Sequence, residues 1–282
     1  MTARVGYGQR SMRDEQCVAF LQWALPQLHM RWPGFRKVRG QVCKRLQRRM
    51  RQLGLDDVGD YRQYLLQHPA EWKALDALTR VTVSRFYRDK MMFGYLADTL
   101  LTALAQQARE QDRDRLMVWS AGAGAGEEPY TVSLLWHVQL QPQFPDLRQR
   151  VIATDADRDL CQRAEEACYP YSSIKNLPAG WRRRVFTRQA ECYCLRTAYR
   201  RDVELRVQDI REAMPAETFD LLLCRNLVFT YFDDPLQRAL LERMQSRIRA
   251  GGALVIGIHE TLPAQVRGFR AWSERLRVYR RE

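Results

Sequence analysis

Through the first ~110 residues, apolar positions recur three and four apart, the period of one helix face. Cys17 to Met30 (CVAFLQWALPQLHM) carries the pattern with Pro26 as an interruption, and it resumes from Gly34 to Leu53 after a Trp-Pro-Gly turn. Shorter helices are predicted over Tyr61–Gln67 and Glu71–Thr82, separated by His-Pro. Phe93–Arg109 (FGYLADTLLTALAQQAR) is a strong amphipathic run.

The period changes at Arg115. LMVWSA is a short, uniformly apolar run of buried-strand type, followed by a glycine loop and a predicted helix from Glu127 to about Leu140. RVIATD (150–155), VELRVQD (203–209), FDLLLCRN (219–226) and ALVIGIH (253–259) read as further strands, with helices over 157–168 and 235–249. A last strand is predicted over LRVYR (276–280). Strands alternating with helices predict an α/β domain with a parallel, doubly wound sheet and ligands at the strands' carboxyl ends. Between Tyr169 and Arg201 the alternation breaks, and CYCLRTAYR suggests a small hairpin. The expected organisation is a helical domain over 1–90 and an α/β domain over 91–282, with the hairpin inserted at about 169–201.

Composition narrows the setting. The 282 residues are 46% hydrophobic, enough for a real core, and no apolar run is long enough to span a bilayer. The opening MTARVGYGQRSMRDEQ lacks the apolar centre of a secretory signal. Seven cysteines follow no framework spacing, and four histidines make a metal cluster unexpected. A reduced, cytoplasmic, soluble monomer without metal is the expectation. The formal net charge is +13, and between Arg31 and Arg51 stand nine Lys or Arg and no acid. Such a stripe attracts an acidic partner: nucleic acid, an anionic membrane surface or an acidic protein. The bland alternative is a solvated helix face in an arginine-rich chain.

Chemistry concentrates in SAGAGAGEEPY, Ser120–Tyr130. Strand, Gly-x-Gly-x-Gly and helix in succession form a nucleotide-type loop, whose glycines turn tightly and remove the Cβ atoms that would hold a ligand away. One occupant is a pyrophosphate on the helix N-terminus. The other is the methionine portion of S-adenosylmethionine (AdoMet). Glu127 and Glu128 tilt the choice, because acids oppose a phosphate and favour a sulfonium cation. A purely structural turn is the remaining reading. Asp155, ending the second strand, can accept both hydroxyls of a ribose, whereas Asp157 fits better as the cap of the next helix. Asp209, ending the third strand, can accept an adenine amino hydrogen or simply form a turn.

VTVSRFYRD, VWSAGAGAGEEPYTVSLLW, IATDADRDLCQRAEEACYP and FDLLLCRNLVFTYFD resemble, in order, blocks of the CheR-type methyltransferases. These AdoMet-dependent enzymes methylate glutamate side chains of bacterial chemoreceptors. The resemblance covers residues 70–260 or so and implies a small all-helical domain ahead of a Rossmann-like class I AdoMet methyltransferase domain. It implies AdoMet as cofactor, with contacts on Thr82, Ser84, Arg88, Gly122 and Gly124, and on Glu128 with Glu127 as the near alternative. Asp155 takes the ribose, Asp209 and Ile210 the adenine side, and Arg225 and Asn226 face the same cleft. Arg88 and Tyr231 take the catalytic places at the methyl-transfer centre.

Two departures touch the substrate-facing rim. The family commonly has three residues between its CRN and YF, where this chain has Leu227, Val228, Phe229 and Thr230. The extra residue could re-aim Tyr231 or put Thr230 in its place. The family's Gly-His-Ser-Glu after the fifth strand is here Gly257, Ile258, His259 and Glu260. An acceptor glutamate is already ionised at neutral pH, so transfer to it needs alignment and exclusion of water rather than a base. With an amine or base nitrogen as acceptor, Glu127, Glu260 or His259 would be the candidate bases. The 31–51 stripe would steer acidic receptor methylation helices. Nucleic acid ranks second as a partner, because the stripe is poor in aromatic residues. The alternatives are another acceptor, RNA or a different protein side chain, and a non-catalytic AdoMet-binding signalling module.

Overall fold

The computed structural model describes residues 12–82 and 84–282. The chain divides into two compact units, one comprising residues up to Thr82 together with Thr230–Asp233, the other 83–229 and 234–282.

The first unit is helical: α1 (Asp14–Ala24), a 3₁₀ turn over Leu25–Leu28, α2 (Trp32–Phe35), α3 (Arg39–Gln52), α4 (Val58–Gln67) and α5 (Glu71–Thr79). Pro26 lies in the 3₁₀ turn, where α1 has already ended; a proline further inside would remove a helix hydrogen bond and clash with the preceding turn. Helix α3 buries Val42, Leu46 and Met50 as one stripe, the spacing its sequence predicts. Pro33 lies in the first turn of α2, where its missing amide costs nothing. Gly34 follows because of a close approach: a Cβ there would stand 2.2 Å from the Thr230 carbonyl oxygen. The Arg31 amide donates to the Tyr231 carbonyl at 2.8 Å, and Met30 pairs with Phe232. Thr230–Asp233, remote in sequence, is thus woven into the helical unit.

One buried polar network holds this unit. The Glu71 carboxylate accepts two hydrogen bonds from the Arg49 guanidinium, at 2.9 and 2.7 Å, and one from the Tyr61 hydroxyl at 2.9 Å. The Arg49 hydrogen bonds hold the Glu71 carboxyl below its ordinary range, outweighing burial, which acts the other way.

In the second unit α6 (Lys90–Tyr95), a π-helical turn over Leu96–Leu100 and α7 (Leu101–Glu110) precede β1 (Arg115–Ala121). Next come α8 (Glu127–Leu135), β2 (Arg148–Asp155), α9 (Arg158–Glu166), β3 (Cys168–Pro170), α10 (Tyr171–Ile174) and α11 (Ala179–Val185). They are followed by β4 (Phe186–Gln189), β5 (Cys192–Leu195), β6 (Val203–Val207), β7 (Phe219–Cys224) and α12 (Val228–Tyr231), whose last two residues count with the first unit. The chain continues through α13 (Asp234–Arg247), β8 (Ile248–Ile256), β9 (Phe269–Ser273) and β10 (Val278–Arg281).

The large sheet is ordered β6-β2-β1-β7-β8-β10-β9. Pairing is parallel from β6 to β8 and antiparallel for β10 and β9. This is the Rossmann-like class I arrangement. Connections leave β1 toward β2 on one side and β7 lies on its other side, so the strand order switches there and a crevice opens at its carboxyl end. All but the first residue of β1 are buried, which explains its uninterrupted apolar run. Leu101, Leu104, Ala105 and Ala108 of α7 share a core with Val118, Leu221, Leu223 and Val255. The edge strand β9 is not legible in the sequence, since its FRAWS leaves no residue buried.

A second sheet runs β3-β5-β4. Its β4–β5 hairpin spans Phe186–Leu195, placed earlier than CYCLRTAYR suggests. The expectation of reduced thiols needs correction, because Cys17–Cys43 and Cys168–Cys194 are disulfides, each across 26 residues. Linear spacing conceals both pairs. The first joins α1 to α3, and the second joins residues placed directly opposite by the β3–β5 register. Cys161, Cys192 and Cys224 are free. Burial lifts the Cys161 thiol to about 11 and raises the Cys224 thiol as well.

Candidate functional site

The glycine loop is the short connection between Ala121, the last residue of β1, and Glu127, the first of α8. Gly122, Gly124 and Gly126 all have positive φ, at 76°, 58° and 91°. At Gly122 the requirement is doubled, since a Cβ would also stand 2.8 Å from the Leu227 side chain. The Gly122 and Ala123 amides both donate to the Thr154 carbonyl, at 2.8 and 3.0 Å. The Gly124 amide donates to Asp155 Oδ2 at 2.8 Å and the Asp157 amide to Oδ1 at 2.9 Å. Asp155 therefore stands against the loop, folding it over the end of β2. Asp157 caps α9 through the Asp159 and Leu160 amides, the division of labour its position suggests.

The two glutamates have different surroundings. Glu128 accepts from the Ser120 hydroxyl at 3.0 Å and pairs with Arg225 at 3.0 Å. Arg225 also reaches Asp89 at 3.4 Å and lies over the Phe93 ring at 5.4 Å. Its side chain is only 5% exposed, so the carboxylates compensate a charge removed from water. Asp89 in turn caps α6 by accepting the Met92 amide at 3.2 Å. Three separated blocks, SRFYRD, GEEPY and CRN, converge on this guanidinium. Sequence reasoning missed Asp89 and Ser120 as partners; the one available signal was an acid standing just before a helix.

Glu127 is buried, and its Oε1 accepts from the Ser173 hydroxyl at 2.9 Å. Its Oε2 is buried without a hydrogen-bond partner among the described residues. A dry acceptor without a donor carries a desolvation cost that a ligand N–H can remove. Glu127 is thus buried with one oxygen unbonded among the described residues, whereas Glu128 holds Arg225.

The other expected residues fall as follows. Arg88 is exposed, flanked by Asp89 and by the Phe86–Tyr87 turn. Phe86 is anchored by its amide on the Ser173 carbonyl at 3.0 Å and by edge-on contact with Tyr169 at 4.8 Å. Ser84 is half-buried and Ile210 buried. Asp209 accepts the Arg211 amide at 2.9 Å and pairs with its guanidinium at 2.6 Å, forming a turn. Asn226 has φ 56°, a conformation asparagine tolerates. Glu260 is buried, and one of its oxygens accepts both the Asn226 amide at 2.9 Å and the Gly257 amide at 2.5 Å. It acts as a clamp between the CRN turn and the end of β8, whereas His259 is exposed. Thr82 and Tyr231 belong to the first unit; Thr82 is exposed, and the Tyr231 ring packs on Phe35 at 5.0 Å.

A switch-point loop with an unfilled, buried carboxylate oxygen suits a ligand that carries a cation. The family model of the CheR methyltransferase SAM binding domain matches residues 82–277, and that of the CheR methyltransferase all-alpha domain matches 37–79. The chain belongs to the CheR methyltransferase family. Chemotaxis protein methyltransferase 2 of Pseudomonas aeruginosa is 32% identical over 225 residues, 78% of this chain and 77% of that protein. The chemotaxis protein methyltransferase of Salmonella typhimurium is 32% identical over 241 residues, 82% of this chain and 79% of that one. An uncharacterized 104.1 kDa protein of Rhodobacter capsulatus is 28% identical over 242 residues, 85% of this chain but a quarter (25%) of the relative. AdoMet is the cofactor of the CheR domain, and the loop and Glu127 fit it. Among the described residues there is no metal-holding cluster of His, Cys, Asp or Glu, and no helix long and apolar enough to cross a membrane.

Proposed function

We propose that this CheR-family chain transfers the AdoMet methyl group to glutamate carboxylates of a protein, as chemoreceptor methylation would require. The observation that carries the acceptor side is how the 31–51 stripe divides. Arg39 pairs with Asp14, Arg49 with Glu71, Arg45 donates to the Arg80 carbonyl and Arg31 to that of Thr230. Arg36, Lys37, Lys44, Arg48 and Arg51 are exposed, with no carboxylate partner among the described residues. Lys44, Arg48 and Arg51 share the face of α3 opposite buried Val42 and Leu46, by helical periodicity. A continuous unneutralised face of this kind suits an acidic helix.

In this reading Glu127 takes the cofactor's ammonium, Asp155 its ribose, and the glycine loop the methionine portion. Arg88 orients the cofactor's methionine end. When bound, AdoMet supplies a methyl group on a sulfonium, open to direct attack by an ionised carboxylate. The chain's task is then alignment and exclusion of water, with no proton to move. Buried Glu260, occupied by two backbone amides, accords with a reaction that needs no base.

The test is transfer of labelled methyl to protein in a lysate of the source organism. An alkali-labile ester on glutamate supports the reading, and alkali-stable label or label in RNA overturns it. Asp155→Ala should weaken AdoMet binding by about tenfold or more, and an unchanged affinity would remove the ribose assignment.

A further inference from the structure

The glycine loop lies at the carboxyl ends of the parallel strands, and a second concavity lies at their amino ends. It is a groove of about 490 Å³ lined by Gln106, Gln107 and Glu110 of α7, by Gln111 just after it, and by Trp272 and Arg280 of β9 and β10, with the start of β8 at its side. Arg280 stands directly opposite Arg270 in the β9–β10 register. Cross-strand partners share a sheet face, and like charges placed so repel. Neither guanidinium has a carboxylate within ion-pair distance among the described residues, and both are exposed. Glu110 is the single acid among the lining residues, leaving the Arg270–Arg280 edge positive. The Arg280 guanidinium lies over the Trp272 ring at 5.2 Å, and the indole packs against the core, so the two form one stacked cation–aromatic unit at the groove. The glutamine amides are oriented: Gln107 donates to the Ala250 carbonyl at 3.3 Å, and Gln111 Oε1 accepts from Arg113 at 3.1 Å.

A pair of uncompensated arginines calls for an anion, the indole for a planar ring, and the amides for a ring edge rich in donors and acceptors. The volume falls in the range of small-molecule sites. We propose that this groove binds a nucleotide, with its base against the Arg280–Trp272 stack, its phosphate on Arg280 and on Arg270, which faces it from the neighbouring strand, and its base edge along Gln106 and Gln111. The site is separate from the cofactor loop and does not depend on which acceptor the enzyme methylates.

The experiment is fluorescence anisotropy of mant-labelled AMP and GMP with the full chain, saturated with S-adenosylhomocysteine so that the cofactor loop is filled. Binding of either nucleotide is expected, weakened about tenfold or more by Arg280→Ala and by Trp272→Ala. Unlabelled nucleotide should displace the probe, and neither the nucleoside nor inorganic phosphate at the same concentration should do so. Each variant is checked for folding by circular dichroism, and Gln106→Ala serves as a milder second probe where a larger change disturbs the fold. Absence of binding up to millimolar nucleotide, equal binding by the Arg280 and Trp272 variants, or displacement by phosphate alone would overturn the proposal.

Discussion

Glu127 and Glu128 are neighbours of identical chemistry with opposite assignments, because the start of α8 turns one toward Ser173 and the other toward Arg225. Glu127→Gln should leave folding nearly unchanged and weaken AdoMet by about tenfold, having removed the charge from an oxygen with no internal donor. Glu128→Gln should instead lower stability by about 2–3 kcal/mol, since it withdraws one of two carboxylates from a buried guanidinium. Calorimetric titration and urea unfolding of both variants distinguish these effects, and the reverse order would sink the allocation. Glu71 allows a pH test. The Arg49 hydrogen bonds depress its folded-state pKa. Its contribution is therefore complete above the unfolded value of about 4.3 and is lost as pH falls through the folded value. Glu71→Gln should thus destabilise the chain at pH ~7 and do so far less near pH ~3, as measured by thermal unfolding. An equal deficit at both pH values would show that the charge is not the stabilising feature.

At the scale of elements, α3 shows why a run of charges cannot be read as a single surface. The stripe is continuous in sequence, but a helix distributes it around its axis. Some arginines are taken up inside the unit, as with Arg49 on Glu71, and others are left on the outward face. Reversing Lys44, Arg48 and Arg51 to Glu together should leave the fold intact and lower kcat/KM for an acidic protein substrate by about tenfold or more at low salt. Added salt should reduce the difference. Comparable changes at Arg39 or Arg49 would act through stability instead, so a deficit insensitive to salt would count against docking. The CRN turn gives a parallel lesson. Its short spacing difference is visible in sequence, but the tie from Glu260 to Asn226 and the packing of Tyr231 on Phe35 are not. Both depend on segments far apart along the chain.

For the whole molecule, the disulfides offer a direct check on how the chain is assembled. Without reductant, Cys192 should alkylate promptly in the native protein, while Cys161 and Cys224 wait for denaturation because burial keeps their thiols protonated and covered. Cys17, Cys43, Cys168 and Cys194 should become available only after reduction and unfolding or opening of their segments; mass spectrometry that found all four labelled at the outset would refute the pairing. These pairs mark the boundary of what a linear reading reaches. The amino-acid sequence by itself determined the helical first part, the alternating strands and helices, and the glycine loop followed by two acids. All of these are local or periodic, set by side-chain spacing and backbone freedom over a few residues. Only the tertiary structure decided that Arg225 gathers Glu128 and Asp89, that Glu127 keeps a dry oxygen, and that cysteines 26 residues apart meet. Each of these follows from strand order and helix packing, which bring together residues whose separation along the chain carries no trace of the contact.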